Sequence, residues 1–325
     1  MIQFTEREIL DVTGGIPAGT AAAPEETRAV SSVSTDTRTA GEGALFVALK
    51  GDRFDGHDFL EAALEKGAAL LLVSDAAALP EGAGGILVPD TLKALHALAR
   101  AYRRKLGCKV IAVTGSVGKT STREMLNAVL SGSYRTHATK HNLNNDIGLP
   151  MTILTAPSDT ELLIVEMGMR MRGEILTLTR IAEPDIAVIT NIGVSHIERL
   201  GSREEILHAK MEICEGLSGD RYLLINGEDD YLPGYISGVA DKNWSLLGIT
   251  SLMAGADSFS FADRTVTASD YKADGSGTTF AVRYSPSMHE APVDLGTFHV
   301  GETGIHHIKN ALFSIAAAMH LGVPE

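Results

Sequence analysis

Val110–Thr122 reads VIAVTGSVGKTST, a strand, a glycine turn and a helix in immediate succession. An apolar run of strand character enters Gly115-Ser116-Val117-Gly118-Lys119-Thr120 and leaves directly into a helical segment. Glycines let main-chain N–H groups close around phosphate oxygens, and the helix N-terminus adds positive potential. A lysine then reaches the terminal phosphates and a threonine hydroxyl can hold Mg²⁺. The common loop has four residues between its first glycine and Gly-Lys; here Val113 stands in that first place, so the loop is a shorter variant. A glycine-rich turn that merely caps a helix is the plainer reading of Gly-Lys-Thr alone. The strand before and the helix after favour phosphate binding.

Beyond the loop the same strand–loop–helix unit repeats. Short apolar runs at Val110–Val113, Leu162–Val165, Ile186–Ile189 and Leu223–Ile225 read as strands. Helices fit Lys119–Leu130, Gly173–Ile181, Arg203–Leu217 and Ile305–His320. Apolar runs without strict alternation suit strands buried on both faces, so the pattern predicts an α/β domain with a parallel sheet. Between Asp257 and Val300 the texture changes. Thr265–Ala268, Thr278–Tyr284 and Thr297–Val300 alternate or are β-branched, and Asp274–Gly277 reads as a turn, predicting a β-rich insertion.

Upstream, residues 1–89 mix short apolar runs with Gly, Pro, Asp and Thr. Ala44–Leu49, Ala68–Val73 and Ile86–Val88 read as strands, with a helix at about Asp58–Lys66, giving a small mixed α/β domain. A helix follows at Thr91–Leu106, with Leu92, Leu95, Leu98, Ala99 and Tyr102 at helical spacing. The expected boundary lies near Pro89, with a second domain over residues 90–325. A net charge of −13 argues against nucleic acid as the main partner. The opening MIQFTEREIL has no signal-peptide core, Ala68–Val73 is far too short to span a membrane, and Cys108 and Cys214 form no ligand spacing. The expectation is a cytoplasmic protein without membrane insertion.

Further candidates lie along the chain. Asn142–Pro150 (NLNNDIGLP) offers Asn144 and Asn145 as neutral donors and acceptors, followed by a helix start at Asp146. Caps alone would explain Asn145 and Asp146 equally well. Glu166 ends one strand and His196 follows another, so both fall at the carboxyl edge of the sheet with Thr120, where ligands of open α/β sheets bind. A carboxylate, a hydroxyl and an imidazole beside a triphosphate are suitable metal ligands. Lys210 lies within REEILHAKMEICEGL, and its plain reading is a solvated helix face. His306 and Asn310 are one helical turn apart and could jointly meet a base or sugar, although helix surface is the stronger reading.

Taken in order, these segments resemble the Mur ligase superfamily, and within it the branch that adds D-alanyl-D-alanine. TGSVGKTST is similar to that family's shortened phosphate loop. NLNNDIGLP and EMGMRMRGEI are the most specific matches, and TNIGVSHIE followed by HAKMEI resembles its second-metal histidine and carbamylated lysine. STDTR, ALFVALKG and FDGH in the first stretch resemble a uridine-nucleotide-binding module. The resemblance implies an ATP-dependent, ADP-forming amide-bond ligase, active as a monomer in peptidoglycan precursor synthesis. Its partners would be UDP-N-acetylmuramoyl-tripeptide and D-alanyl-D-alanine, and its cofactors two Mg²⁺ ions and a carbamate on Lys210. Gly115, Ser116, Val117, Gly118, Lys119, Thr120, Ser121, His306 and Asn310 would bind ATP. Ser34, Arg38, Lys50, Asp55 and His57 would bind the uridine nucleotide. Thr120 and Glu166 would hold the first metal, His196 and Lys210 the second, with Lys119, Lys210, His196, Asn144 and Asn145 catalytic.

Two departures stand out. His307 occupies the place where the family carries the first asparagine of its late helix motif. The family also has a third, dinucleotide-fold domain after that helix, whereas this chain stops at Glu325; the expectation is a catalytically incomplete chain. A P-loop GTPase would need an Asn-Lys-x-Asp motif, and none is found. A non-catalytic binder of UDP-muramoyl peptides is the main rival reading. A ligase adding a single amino acid is another, and the UDP-type first stretch disfavours a folate polyglutamylating ligase.

Overall fold

The computed structural model describes residues 4–20, 29–51, 53–240, 242–252, 259–287 and 290–323. The chain forms two compact units, one of Met1–Cys108 with Asp146–Thr160 and one of Lys109–Asn145 with Glu161–Glu325.

The first unit opens with β1 (Phe4–Thr5), α1 (Glu6–Thr13), β2 (Ile16–Gly19), β3 (Ala29–Val30), β4 (Ser32–Ser34) and β5 (Ala44–Val47). It continues through α2 (Leu60–Glu65), β6 (Leu70–Val73), β7 (Gly84–Leu87) and α3 (Thr91–Leu106). Its sheet runs β2-β7-β6-β5-β4, parallel except for β2. The strands β5 and β6 are buried along their whole length, as expected of apolar runs lacking alternation. Asp90 caps α3 by accepting the Lys93 N–H, and Gly107 ends it in the left-handed conformation at φ 63°. The helix predicted from Asp58 begins instead as a 3₁₀ turn over Gly56–Phe59.

The second unit begins with β8 (Lys109–Thr114), α4 (Lys119–Leu130) and β9 (Thr136–Ala138). The chain then returns to the first unit with α5 (Gly148–Leu154). Back in the second unit follow β10 (Leu162–Glu166), α6 (Glu174–Ala182), β11 (Ile186–Ile189), α7 (Ile197–Leu200) and α8 (Arg203–Met211). The remaining elements are β12 (Tyr222–Asn226), α9 (Leu232–Gly238), β13 (Leu246–Ser251), β14 (Arg264–Asp274), β15 (Gly277–Ser285), β16 (Val293–Val300) and α10 (Ile305–His320). Among the described residues the sheet has nine strands in the order β16-β15-β14-β13-β12-β11-β8-β10-β9. Strands from β9 to β14 pair in parallel, and β15 and β16 add antiparallel. Leu126 and Leu130 of α4 and Leu312, Phe313 and Ala316 of α10 join Ile111, Val113, Ile164 and Val188 in one buried core.

An α/β fold with parallel sheets is thus what the chain adopts. Three expectations need correcting. The β-rich stretch extends the central sheet, because β14 pairs in parallel with β13, a strand not anticipated. The division falls after Cys108 rather than near Pro89, because α3 packs on α1 and α5 of the first unit. The helix after NLNND starts at Gly148, and Asp146 is no cap: its carbonyl accepts from His96 Nε2 at 2.6 Å. No helix among the described residues is long and apolar enough to cross a membrane.

The buried Tyr102 hydroxyl donates to the Ala156 carbonyl at 2.8 Å, joining α3 to the returning segment. Tyr102→Phe leaves that buried carbonyl unpaired, at a cost of about 1–3 kcal/mol. Hydrogen exchange should accelerate in α3 and α5 and stay unchanged in β8, β10 and β11. Unchanged exchange in α5 would contradict its place in the first unit.

Candidate nucleotide and metal site

Parallel register brings the site together. Glu166 at the end of β10 lies opposite Val113 of β8, and Ile189 at the end of β11 lies opposite Thr114. The segments that follow these strands therefore emerge at one edge. Gly115, at φ 152°, starts the turn; a side chain there would strike Thr190 Oγ1 at 1.9 Å. Gly118, at φ 85°, is the N-cap of α4, so the helix opens without a side-chain cap and its first N–H groups face the loop. Lys119 curls back, its Nζ donating to the Gly115 carbonyl at 2.9 Å. Burial lowers the Lys119 pKa, and the negative charge of Glu166 partly offsets this.

Glu166 is only 1% exposed. An unpaired carboxylate so deeply buried would cost several kcal/mol. Here Oε2 accepts from Thr120 Oγ1 at 2.9 Å and Oε1 from Asn144 Nδ2 at 2.8 Å, while Arg123 Nη1 stands 3.7 Å away. Thr120 and Arg123 are three residues apart on α4, so one face of that helix meets the carboxylate. Asn144 also donates to Asn142 Oδ1 at 2.7 Å, and Gly168 N–H donates to the Asn144 carbonyl at 2.8 Å. Asn145, by contrast, is exposed.

His196 takes the left-handed conformation at φ 68°, just before α7. Its pKa is lowered by burial and then by the charges of Lys210 and Lys119, which keeps the imidazole neutral and available as a ligand. Lys210 is not on a solvated helix face: it is 2% exposed, and burial together with the Lys119 charge depresses its pKa to about 7. No group of three or more His, Cys, Asp or Glu among the described residues is placed to hold a metal. Mg²⁺ does not need one, since it binds through one or two carboxylates plus water and phosphate oxygens. Thr120 and Glu166 fit that demand, and His196 joins with Lys210 only if the amine becomes an anion.

The structure assigns other work to several predicted ligands. The N–H groups of Ser116 and Val117 are spent on Asn191, at 3.1 and 3.0 Å. Ser121 is exposed on α4. Asn310 is buried, and its Oδ1 accepts from Thr122 Oγ1 at 2.9 Å, tying α10 to α4. His306 is exposed against the His307 ring, while His307 Nδ1 pairs with Glu302 at 2.9 Å. In the first unit His57 is turned inward at 8% exposure. Its Nε2 accepts the Ser74 N–H at 3.0 Å, so Nδ1 carries the proton toward Asp55 at 2.6 Å. Asp55 also pairs with the exposed Lys50 at 3.5 Å. Ser34 is buried against Thr39 and Asp36, and Arg38 is exposed and paired with Asp36. Arg123, Thr190 and Asn191 build the site without having been singled out. The signal available was their placement: Arg123 lies one turn past Thr120, and Thr190 and Asn191 directly follow a strand.

Residues 113–318 match the Mur ligase middle domain, and residues 29–103 the Mur ligase family catalytic domain. The UDP-N-acetylmuramoyl-tripeptide–D-alanyl-D-alanine ligase of Bacillus subtilis (strain 168) is 41% identical, the match covering 100% of this chain and 66% of that protein. The enzyme of the same name from Escherichia coli (strain K12) is 34% identical, covering 99% of this chain and 66% of the relative. The chain thus spans just under two thirds of the length of these curated relatives. MurF from Acinetobacter baumannii superposes with a TM-score of 0.83 at 28% identity, over 99% of this chain and 66% of that one. MurF ligase from Thermotoga maritima, solved in complex with ADP, superposes with a TM-score of 0.70 at 30% identity, over 90% and 63%. With its middle-domain match spanning more than half its length around the phosphate loop, the chain belongs to the Mur ligase family.

Proposed function

We propose that this chain carries the nucleotide, metal and UDP-substrate parts of an ATP-dependent ligase. The ligase would join D-alanyl-D-alanine to UDP-N-acetylmuramoyl-tripeptide through an acyl phosphate. The observation that carries the reading is the convergence of Lys119, Thr120, Glu166, Asn144 and His196 at one sheet edge beside a glycine-opened helix. Both curated relatives described above bear the name of this reaction, and the Thermotoga maritima structure holds ADP.

The residues act as follows in this reading. The first-turn N–H groups of α4 and Lys119 hold the phosphates of ATP, and Lys119 leaves the Gly115 carbonyl to reach them. The tripeptide carboxylate attacks the terminal phosphorus, the bond from that phosphorus to the bridging oxygen breaks, and ADP departs. Lys119 neutralises charge on the transferring group. The amine of D-alanyl-D-alanine then attacks the acyl carbon, losing a proton, and phosphate leaves. Thr120 and Glu166 would hold one Mg²⁺, and His196 with a Lys210 carbamate a second; bound there, such ions supply positive charge to the phosphoryl oxygens. Asn144 orients Glu166. Lys50, held by Asp55, and Arg38 are exposed cations of the first unit suited to a uridine diphosphate.

Lys119→Ala removes charge-assisted hydrogen bonds to phosphate, each about 1.5–3 kcal/mol. Calorimetry should show Mg·ATP affinity falling by at least about tenfold, with UDP-muramoyl-tripeptide binding unchanged. Wild-type affinity in this variant would sink the phosphate-loop assignment. The reaction itself is tested on the intact gene product, as ADP release that requires both the UDP-tripeptide and D-alanyl-D-alanine. Release independent of the dipeptide would refute the assigned acceptor.

Lys210 generates a pH prediction. An amine with a pKa of about 7 is mostly neutral, and so nucleophilic toward CO₂, at pH 8; an ordinary lysine near ~10.4 is almost wholly protonated there. With ¹³C-bicarbonate at pH 8 a carbamate signal should appear, fade as the pH falls through about 7, and be absent from Lys210→Ala. The same signal in Lys210→Ala would place the modification elsewhere.

A further inference from the structure

Asn191 directly follows β11 and Thr190, at the edge where the phosphate loop turns. Its carboxamide pairs with the main chain of Val117 much as a neighbouring strand would. The Val117 N–H donates to Asn191 Oδ1 at 3.0 Å, and Asn191 Nδ2 donates to the Val117 carbonyl at 2.8 Å. Thr190 Oγ1 donates to the same carbonyl at 2.7 Å. Two further bonds reinforce the seam: the Ser116 N–H donates to the Asn191 carbonyl at 3.1 Å, and the Gly193 N–H donates to the Ser116 side-chain Oγ at 2.8 Å. Val117 itself is 67% exposed, so side-chain packing does little to fix the tip of the loop. Glycines at positive φ stand on both sides of that tip, Gly115 and Gly118, and glycine is the residue that leaves a backbone most free to move.

The opposite side of this segment is anchored as well. Ile192 N–H donates to Asp229 Oδ2 at 2.8 Å, and the Ile192 carbonyl accepts from Arg203 Nε at 3.2 Å. Arg203 also pairs with Asp230 and opens α8, the helix that carries Lys210. His196 lies five residues after Asn191 on the same connection. The phosphate loop and the two residues proposed for the second metal are thereby tied to one short segment.

We infer that Asn191 is a positioning residue that presets the phosphate loop and couples its occupancy to the placement of His196, without touching the nucleotide. The inference rests on the nucleotide-site reading above. Because the N–H groups of Ser116 and Val117 are committed to Asn191, the donors left for phosphate are those of the first turn of α4. Removing the carboxamide frees the Val117 N–H and leaves its carbonyl to Thr190 Oγ1 alone, so nucleotide binding must then do more of the ordering of the loop itself.

The test is calorimetry with Mg·ADP on the wild-type chain, Asn191→Ala and Thr190→Val. Alongside it, the His196 ring is followed by NMR as ADP is added without metal, its signals assigned with His196→Gln. In the wild type, ADP should shift the His196 signals although no metal links the two. Asn191→Ala should bind Mg·ADP about tenfold more weakly and lose the His196 response. Thr190→Val keeps the side-chain shape and removes one of the two side-chain donors to the Val117 carbonyl; it should lose roughly threefold and keep a reduced response. A purely structural role for Asn191 would lower the melting temperature while leaving the His196 response intact, and that result overturns the inference. So does wild-type affinity in Asn191→Ala. Should that variant fail to fold, wild-type affinity and response in Thr190→Val overturn it equally. A wild-type chain that binds no Mg·ADP would overturn the nucleotide-site reading, and this inference with it.

Discussion

The parallel pairing of β10, β8 and β11 is the constraint on which the site depends. Glu166 pairs with Val113 and Ile189 with Thr114, so a carboxylate, a phosphate loop and the His196 segment leave the sheet at one level. Side chains alternate along a strand, and a slip of one residue would exchange which of them face each side. The strands are buried on both faces, so hydrophobic patterning alone does not choose among their registers. Local bonds then lock the level at which they end. Thr114 Oγ1 donates to the Met167 carbonyl, and Glu166 N–H to Thr139 Oγ1, each at 3.0 Å.

Electrostatics at this edge run against those of the whole molecule. The chain carries a net charge of −13, yet Lys119 and Arg123 lie beside Glu166, and Lys210 lies near enough to Lys119 to feel its charge. A protein that is acidic overall can therefore present a local attraction for polyphosphate. Burial first, and then the neighbouring positive charges, hold the pKa values of His196 and Lys210 down. Burial and the nearby cations both disfavour protonation of His196 and Lys210, so these two groups enter the reaction with basic character. Glu166 stays buried because Thr120, Asn144 and Arg123 replace the water it has lost.

Much of this was legible in the sequence, and the pattern of what was not is physical. Strand, glycine turn and helix are encoded within a few residues, and so Lys119–Leu130 and Ile305–His320 have the bounds that periodicity predicts. Glu166 and His196 could be placed at strand ends by the same local reasoning. Pairing partners are not local. Residues 264–300 carry strand texture, but nothing in them says that β14 will continue the sheet alongside β13. Side-chain commitments are equally hidden. The sequence shows Asn310 and His57 as polar residues in suitable motifs, while the fold spends the one on Thr122 and the other on Ser74 and Asp55. Arg123 is not singled out in the sequence, and only the fold shows that it is buried.

The path of the chain has a practical consequence for anyone dissecting it. It passes between the two units after Cys108, after Asn145 and after Thr160. A single proteolytic nick at any one of these junctions leaves the units covalently joined. A gene fragment ending at Cys108 would lack α5, and one beginning at Lys109 would carry that helix away from the α3 surface it belongs to. Exchange of one module between homologues by a single crossover would therefore yield a hybrid first unit; a clean swap needs the 146–160 segment to travel with residues 1–108.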